Sequence, residues 1–156
     1  MAVSTNFLLP EQTISTRLTE LFAEGGAPIN SVRVLSAESI AGVELGALPT
    51  PCVCVVYLGD SSVKSLGAGR AAQIEQTWGV VVAVRDGREY TSGTAARADA
   101  GVIITAVLEN LLGWSPSAGW SPLNHTRSSH RPGYSNGVWF HPLAFTTTIE
   151  VRSRND

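Results

Sequence analysis

All three histidines of this sequence, His125, His130 and His141, fall in the stretch 124–142, "NHTRSSHRPGYSNGVWFHP", beside Arg127, Arg131, Tyr134 and Trp139. Imidazoles can hold a metal, shuttle a proton or pair with an anion. Metal binding needs them to converge. His125 and His130 are five residues apart, so on one strand they face opposite sides. His141 lies across a hairpin from them, which leaves two ligands at best. The nearest downstream acid, Glu150, has the opposite strand parity to His141. Two imidazoles without a carboxylate or thiolate make a poor zinc site, so no metal is expected.

Nucleophilic catalysis finds no better footing. No G-x-S-x-G elbow occurs, and Ser128–Ser129 have no acid beside them. Cys52 and Cys54 lie in a strongly β-forming run whose burial suits inert thiols rather than thiolates. One residue apart, they share a strand face, and a disulfide closing so short a loop would be strained. They read as two reduced core thiols. The glycine-rich "GAGRAA" at 67–72 lacks the Lys-Ser/Thr of a phosphate loop and leads into a strand rather than a helix. Asp60, Asp86 and Asp99 are scattered over two turns and a helix start. The pattern is that of a protein that is not an enzyme and needs no cofactor.

Composition agrees. Only 15 % of the residues are charged and 44 % are apolar, against about 25 % charged in an average soluble protein. A surface so poor in charge suits a subunit of an assembly. Net charge is −2, which offers no general attraction for nucleic acid. Arg127, His130, Arg131 and Tyr134, with Arg152 and Arg154, could grip a strand. Arginines and aromatics are also the types enriched at protein–protein interfaces, and the chain has one lysine and no RNA-binding signature. Arg127, His130, Arg131 and Tyr134 are therefore read as a subunit or partner interface, without nucleic-acid reading. Residues 1–60 hold six acids and two arginines, whereas residues 61–156 hold nine bases and seven acids. Such a split could let the front of one subunit meet the back of another. No signal peptide or membrane-length apolar run is present, so an intracellular protein is expected.

The elements that would carry these residues follow from periodicity. Residues 11–24 place Ile14, Leu18, Leu21 and Phe22 on one helical stripe, which Gly25, Gly26 and Pro28 bring to an end. A short strand near "SVRVL" follows, then a helical turn or two in "SAESIAGVELGAL". The continuous run Cys52–Leu58 predicts a strand buried on both faces, ending at Gly59-Asp60. Ser61–Ala71 predicts a mobile loop. A strand over Gln73–Arg85 then aligns Trp78, Val80, Val82 and Val84, and Asp86-Gly87 turns the chain. A helix over 94–112, capped by Ser92 or Thr94, carries Ala100, Ile104, Val107, Leu108 and Leu111 and stops at Gly113. Two last strands, Leu123–His130 and Val138–Val151, flank the hairpin signal "RPGYSNG", with Trp139 and His141 on the core face of the second. The whole is one α+β domain, residues 1–156, with two helices on a mainly antiparallel or mixed sheet of about five strands and a C-terminal hairpin.

In order and pattern the chain resembles the tail terminator (tail completion) proteins of tailed bacteriophages, notably those of Mu-like phages and prophages. The likeness rests on the opening amphipathic helix, "LPTPCVCVVYLG", "QTWGVVVAVRD", the helix "ADAGVIITAVLENLLGW" and the late "WFHPLAFTTTIEV", which together span almost the whole chain. It implies a structural protein that forms a ring with itself, commonly a hexamer. That ring sits on the last disc of the tail tube, ends its growth and presents a surface to a head-completion or neck protein. It also implies assembly in the bacterial cytoplasm followed by residence in the virion. The segment matching the family's tube-facing loop is Ser61–Ala71, with Lys64 and Arg70 as its charges. A head–tail joining or neck ring protein is the alternative, and a small-ligand binder or enzyme using the histidine hairpin is a third reading.

Overall fold

The computed structural model describes residues 6–23, 32–37, 49–85, 94–135 and 137–155. The expected stop at Gly25-Gly26, the helical turns before Leu48, the Asp86-Gly87 turn and the cap at Ser92 or Thr94 lie outside the described residues or side chains.

Helix α1 (Leu9–Ala23) starts two residues before the periodic stripe. The side-chain oxygen of Asn6 accepts from the Leu8 amide at 3.0 Å, satisfying a donor that the first turn leaves unpaired. Its Thr13, Ser15, Thr16 and Thr19 are indifferent helix formers, each costing about 0.5 kcal/mol relative to alanine. Ile14, Leu18 and Phe22 are buried beneath it, at about 1.5–3 kcal/mol apiece. Packing, not propensity, makes this helix. Helix α2 (Thr94–Leu111) buries Ala100, Ile103, Val107 and Leu111 completely and leaves Ile104 and Leu108 half-buried. The expected stripe holds at Ala100, Val107 and Leu111, with Ile104 and Leu108 at its margin, and gains Ile103, which the spacing had left out. Gly113, at φ +73°, ends it in the left-handed region that a glycine adopts without strain.

The sheet contains β1 (Arg33–Ser36), β2 (Cys52–Leu66), β3 (Ala71–Arg85), β4 (Asn124–Thr126), β5 (Gly133–Ser135) and β6 (Val138–Arg152). Strand order is β1-β2-β3-β6-β4, with β5 pairing β6 farther along the same edge. The β1–β2 pair is parallel and the others are antiparallel. Both helices cover one face, α1 toward β1 and β2, α2 toward β3 and β6. The core between them joins Val53, Val55, Trp78, Val80, Val82, Leu143 and Phe145 to the helix stripes. On the other face Cys52, Ala83 and Val138 form a small buried cluster. Both cysteines are free and buried. Burial pushes the two thiols up, Cys54 to about 11, with Cys52 and Glu11 adding to that shift, so neither is a ready nucleophile.

Two expectations fail here. Ser61–Ala71 is not a loop: β2 runs on to Leu66, pairs with β3 from Ala71, and leaves only the turn 67–70 between them. Bulges between Tyr57 and Gly59 and between Ser62 and Lys64 shift the register twice. The expected strand Leu123–His130 shrinks to Asn124–Thr126. Beyond it the His130 amide donates to the Ser128 hydroxyl at 3.2 Å, a local turn that competes with strand pairing.

One buried amide ties distant parts together. Gln76 is fully buried; its Oε1 accepts from the indole N–H of Trp78 and of Trp120, each at 3.1 Å, and its Nε2 donates to the Phe7 carbonyl at 2.7 Å. A second clip joins the helices. The Arg17 guanidinium lies 4.6 Å from the Trp114 ring centroid, and its Nε donates to the Asn110 carbonyl at 2.9 Å.

Candidate interaction surfaces

The first surface is a three-stranded arm. Past Tyr57, β2 continues along β3 and β6 with its residues 60–65 all exposed, while Gln76, Thr147 and Ile149 on the partner strands stay buried at the base. From Gly59 to Leu66 this stretch is about 23 Å at roughly 3.3 Å per residue. Lys64 faces Gln73 across the ladder, with Glu150 beyond it. Arg70 closes the turn: its amide donates to Gly67 at 3.2 Å, and its carbonyl accepts from the Ser153 amide at 2.6 Å. Both side chains are exposed. The apolar side chains of Leu58 and Val63 sit at the two bulges and are 39 % and 57 % exposed.

The second surface is a cleft of about 420 Å³ beside α2. All three histidines line it, together with Arg127, Arg131 and the apolar Ile104, Leu108, Pro142 and Leu143. Strand parity predicted histidines scattered over different faces. That count assumed one strand through His130, whereas β4 ends at Thr126 and the following turn swings His130 back. His125 lies opposite Phe145, and His141 shares that residue's face four positions away, so β4–β6 pairing brings the two imidazoles to one side. His125 meets the Phe145 ring edge-on at 5.8 Å, and Trp139 stands 6.4 Å from His141. His141, expected in the core, is half-buried at the cleft wall; Trp139 does pack partly buried against the core. Tyr134 pairs with Trp139 on β5–β6 and does not line the cleft. The structure thus unites Arg127, His130 and Arg131, adds His125 and His141, and leaves Tyr134 and the arm's Lys64 and Arg70 elsewhere.

No carboxylate lines the cleft among the described residues, and no group of three or more His, Cys, Asp or Glu side chains there could hold a metal ion. What the cleft can do is attract an anionic group flanked by apolar ones. Desolvation, followed by the charge of His125, lowers the pKa of His141 below its ordinary 6.5. The folded state therefore takes up this proton less readily than the unfolded chain. The resulting stability is complete above about pH 6.5 and is lost as pH falls through the folded value. His141→Gln should flatten the fall of melting temperature below pH 6.5. An unchanged slope in that variant would place the titration elsewhere.

Across residues 8–155 the sequence matches the family model described as phage tail terminator protein. The chain belongs to the phage tail terminator family. No individually curated protein matches it. This terminator is accordingly a structural component of the phage virion tail, from a family that is not an enzyme class, and it interacts with other tail components. No helix among the terminator's described residues is long and apolar enough to cross a membrane.

Proposed function

We propose that this terminator forms a ring, six copies in number, on the last disc of the tail tube. There it ends tube polymerisation and offers its outer face to a head-completion or neck protein. Assembly takes place in the host cytoplasm, in a phage or prophage of the Mu-like type, and the ring then stays at the head–tail junction. The family match over residues 8–155 carries this reading. The arm supports it, because a strand ribbon with exposed bulge residues and a basic tip is suited to reach a neighbouring tube subunit. The interface roles of Lys64 and Arg70, and of Arg127, His130, Arg131 and Tyr134, belong to the same proposal.

The test is complementation. Phage lacking this gene should make tails of uncontrolled length, and supplying the chain should restore uniform tails with ring density at the head-proximal end. Uniform tails without the chain would defeat the reading.

A further inference from the structure

A ring made by one repeated contact needs two different patches, one on each flank of the subunit. The described surface offers such a pair. On the β4–β6 flank lies the cleft with Arg127, Arg131 and three imidazoles over an apolar floor. On the opposite flank, at β1, α1 begins beside a groove of about 460 Å³ that contains Leu8, Glu11, Ser15 and Ser36. Leu8 is 45 % exposed, and Glu11 follows three residues later, a spacing that sets two side chains next to each other at a helix start.

We propose that the Leu8–Glu11 edge of one copy seats in the histidine–arginine cleft of the next. Resting on the ring reading above, this names the contact that would close the ring. Leu8 covers the apolar floor of Ile104, Leu108 and Leu143, while the Glu11 carboxylate accepts charge-assisted hydrogen bonds from Arg127 or Arg131. The charges are complementary, and among the described residues no ion pair engages Glu11, Arg127 or Arg131. A nucleic-acid strand suits the cleft less well: its floor is aliphatic rather than a stack of aromatic rings, and the chain as a whole is acidic.

A charge swap tests the contact. Arg127→Glu with Arg131→Glu forms one chain, Glu11→Arg another; both arginines are exposed, and thermal melts confirm that each variant folds. Self-association is followed by sedimentation and by amide shifts on dilution from millimolar concentration at low ionic strength. In the wild type, amides of Leu8–Ser15 and of His125–Arg131 should shift together. Each variant alone should associate at least tenfold more weakly, and an equimolar mixture of the two should recover association, since each supplies the patch that the other lacks. Full association by either variant alone, or no recovery on mixing, overturns the contact while leaving the ring to some other surface. A wild type that neither shifts at these two patches nor sediments above monomer also overturns it. If tails lacking this gene remain uniform in length as well, the ring reading falls with it. An oligothymidylate probe that shifts the cleft amides in the absence of self-association would assign the cleft to nucleic acid, again against the proposal.

Discussion

Replacing Gln76 with leucine is expected to destabilise the fold by about 3–5 kcal/mol, because unpaired buried donors and acceptors cost roughly 1–3 kcal/mol each. The substitution leaves the indole N–H groups of Trp78 and Trp120 without their shared acceptor and the Phe7 carbonyl without its donor. Trp78 is completely buried and Trp120 is 5 % exposed, so water cannot readily replace the amide. For a chain of this length the loss corresponds to a fall in melting temperature of roughly 10 °C or more. Urea unfolding monitored by tryptophan fluorescence measures it directly. The mechanism makes a sharper demand. Since the Trp120 indole donates directly to the Gln76 oxygen, Gln76→Leu and Trp120→Phe should couple by about 1 kcal/mol or more in a double-mutant cycle. Strict additivity would mean that the Trp120 bond contributes nothing to stability.

Shortening the arm is expected to leave stability nearly intact and, on the tube-capping reading, to abolish length control. Ser62 and Ile74 are cross-strand partners, so an Asn-Gly pair can join them directly in place of Val63–Gln73. The excised part of β2 is exposed from Val63 to Ser65. The excision takes the β3 partners of Glu150–Arg152 on β6, whose own ion pair stays in place and is exposed, a type that contributes at most about 1 kcal/mol. The shortened chain should therefore fold, melt within a few degrees of the parent and still fail to yield uniform tails. Normal tails from a folded, shortened chain would remove the arm from the capping role.

These two regions differ in how much their residues announced. Trp78, Val80, Val82 and Val84 alternate cleanly because one face of β3 meets the helices. The same alternation marks Leu143, Phe145 and Ile149 on β6, so the two strands were legible. The helix stripes were legible for the same reason, apart from Ile103, whose neighbour Ile104 is equally apolar. Burial writes period into a sequence. The β2 strand of the arm carries none, since its residues 60–65 are all exposed and two bulges reset its parity, so Ser61, Ser62 and Ser65 look like loop residues. The cleft was hidden differently. Its histidines were visible, but their convergence depends on the register His125↔Phe145 and on a turn at Ser128 that no periodic signal encodes. Gln76 stood unremarked within a strand because two of its amide's partners, Trp120 and Phe7, lie 44 and 69 residues away.

The bond from the Ser153 amide to the Arg70 carbonyl has a practical consequence. It lays the chain's last described residues against the turn at the far end of the arm. An affinity tag or fluorescent protein fused after Asp156 would therefore ride on the part of the molecule proposed to touch the tube, and could by itself produce overlong tails. Labelling studies should attach their reporter elsewhere, for example at the exposed Leu112 just before Gly113.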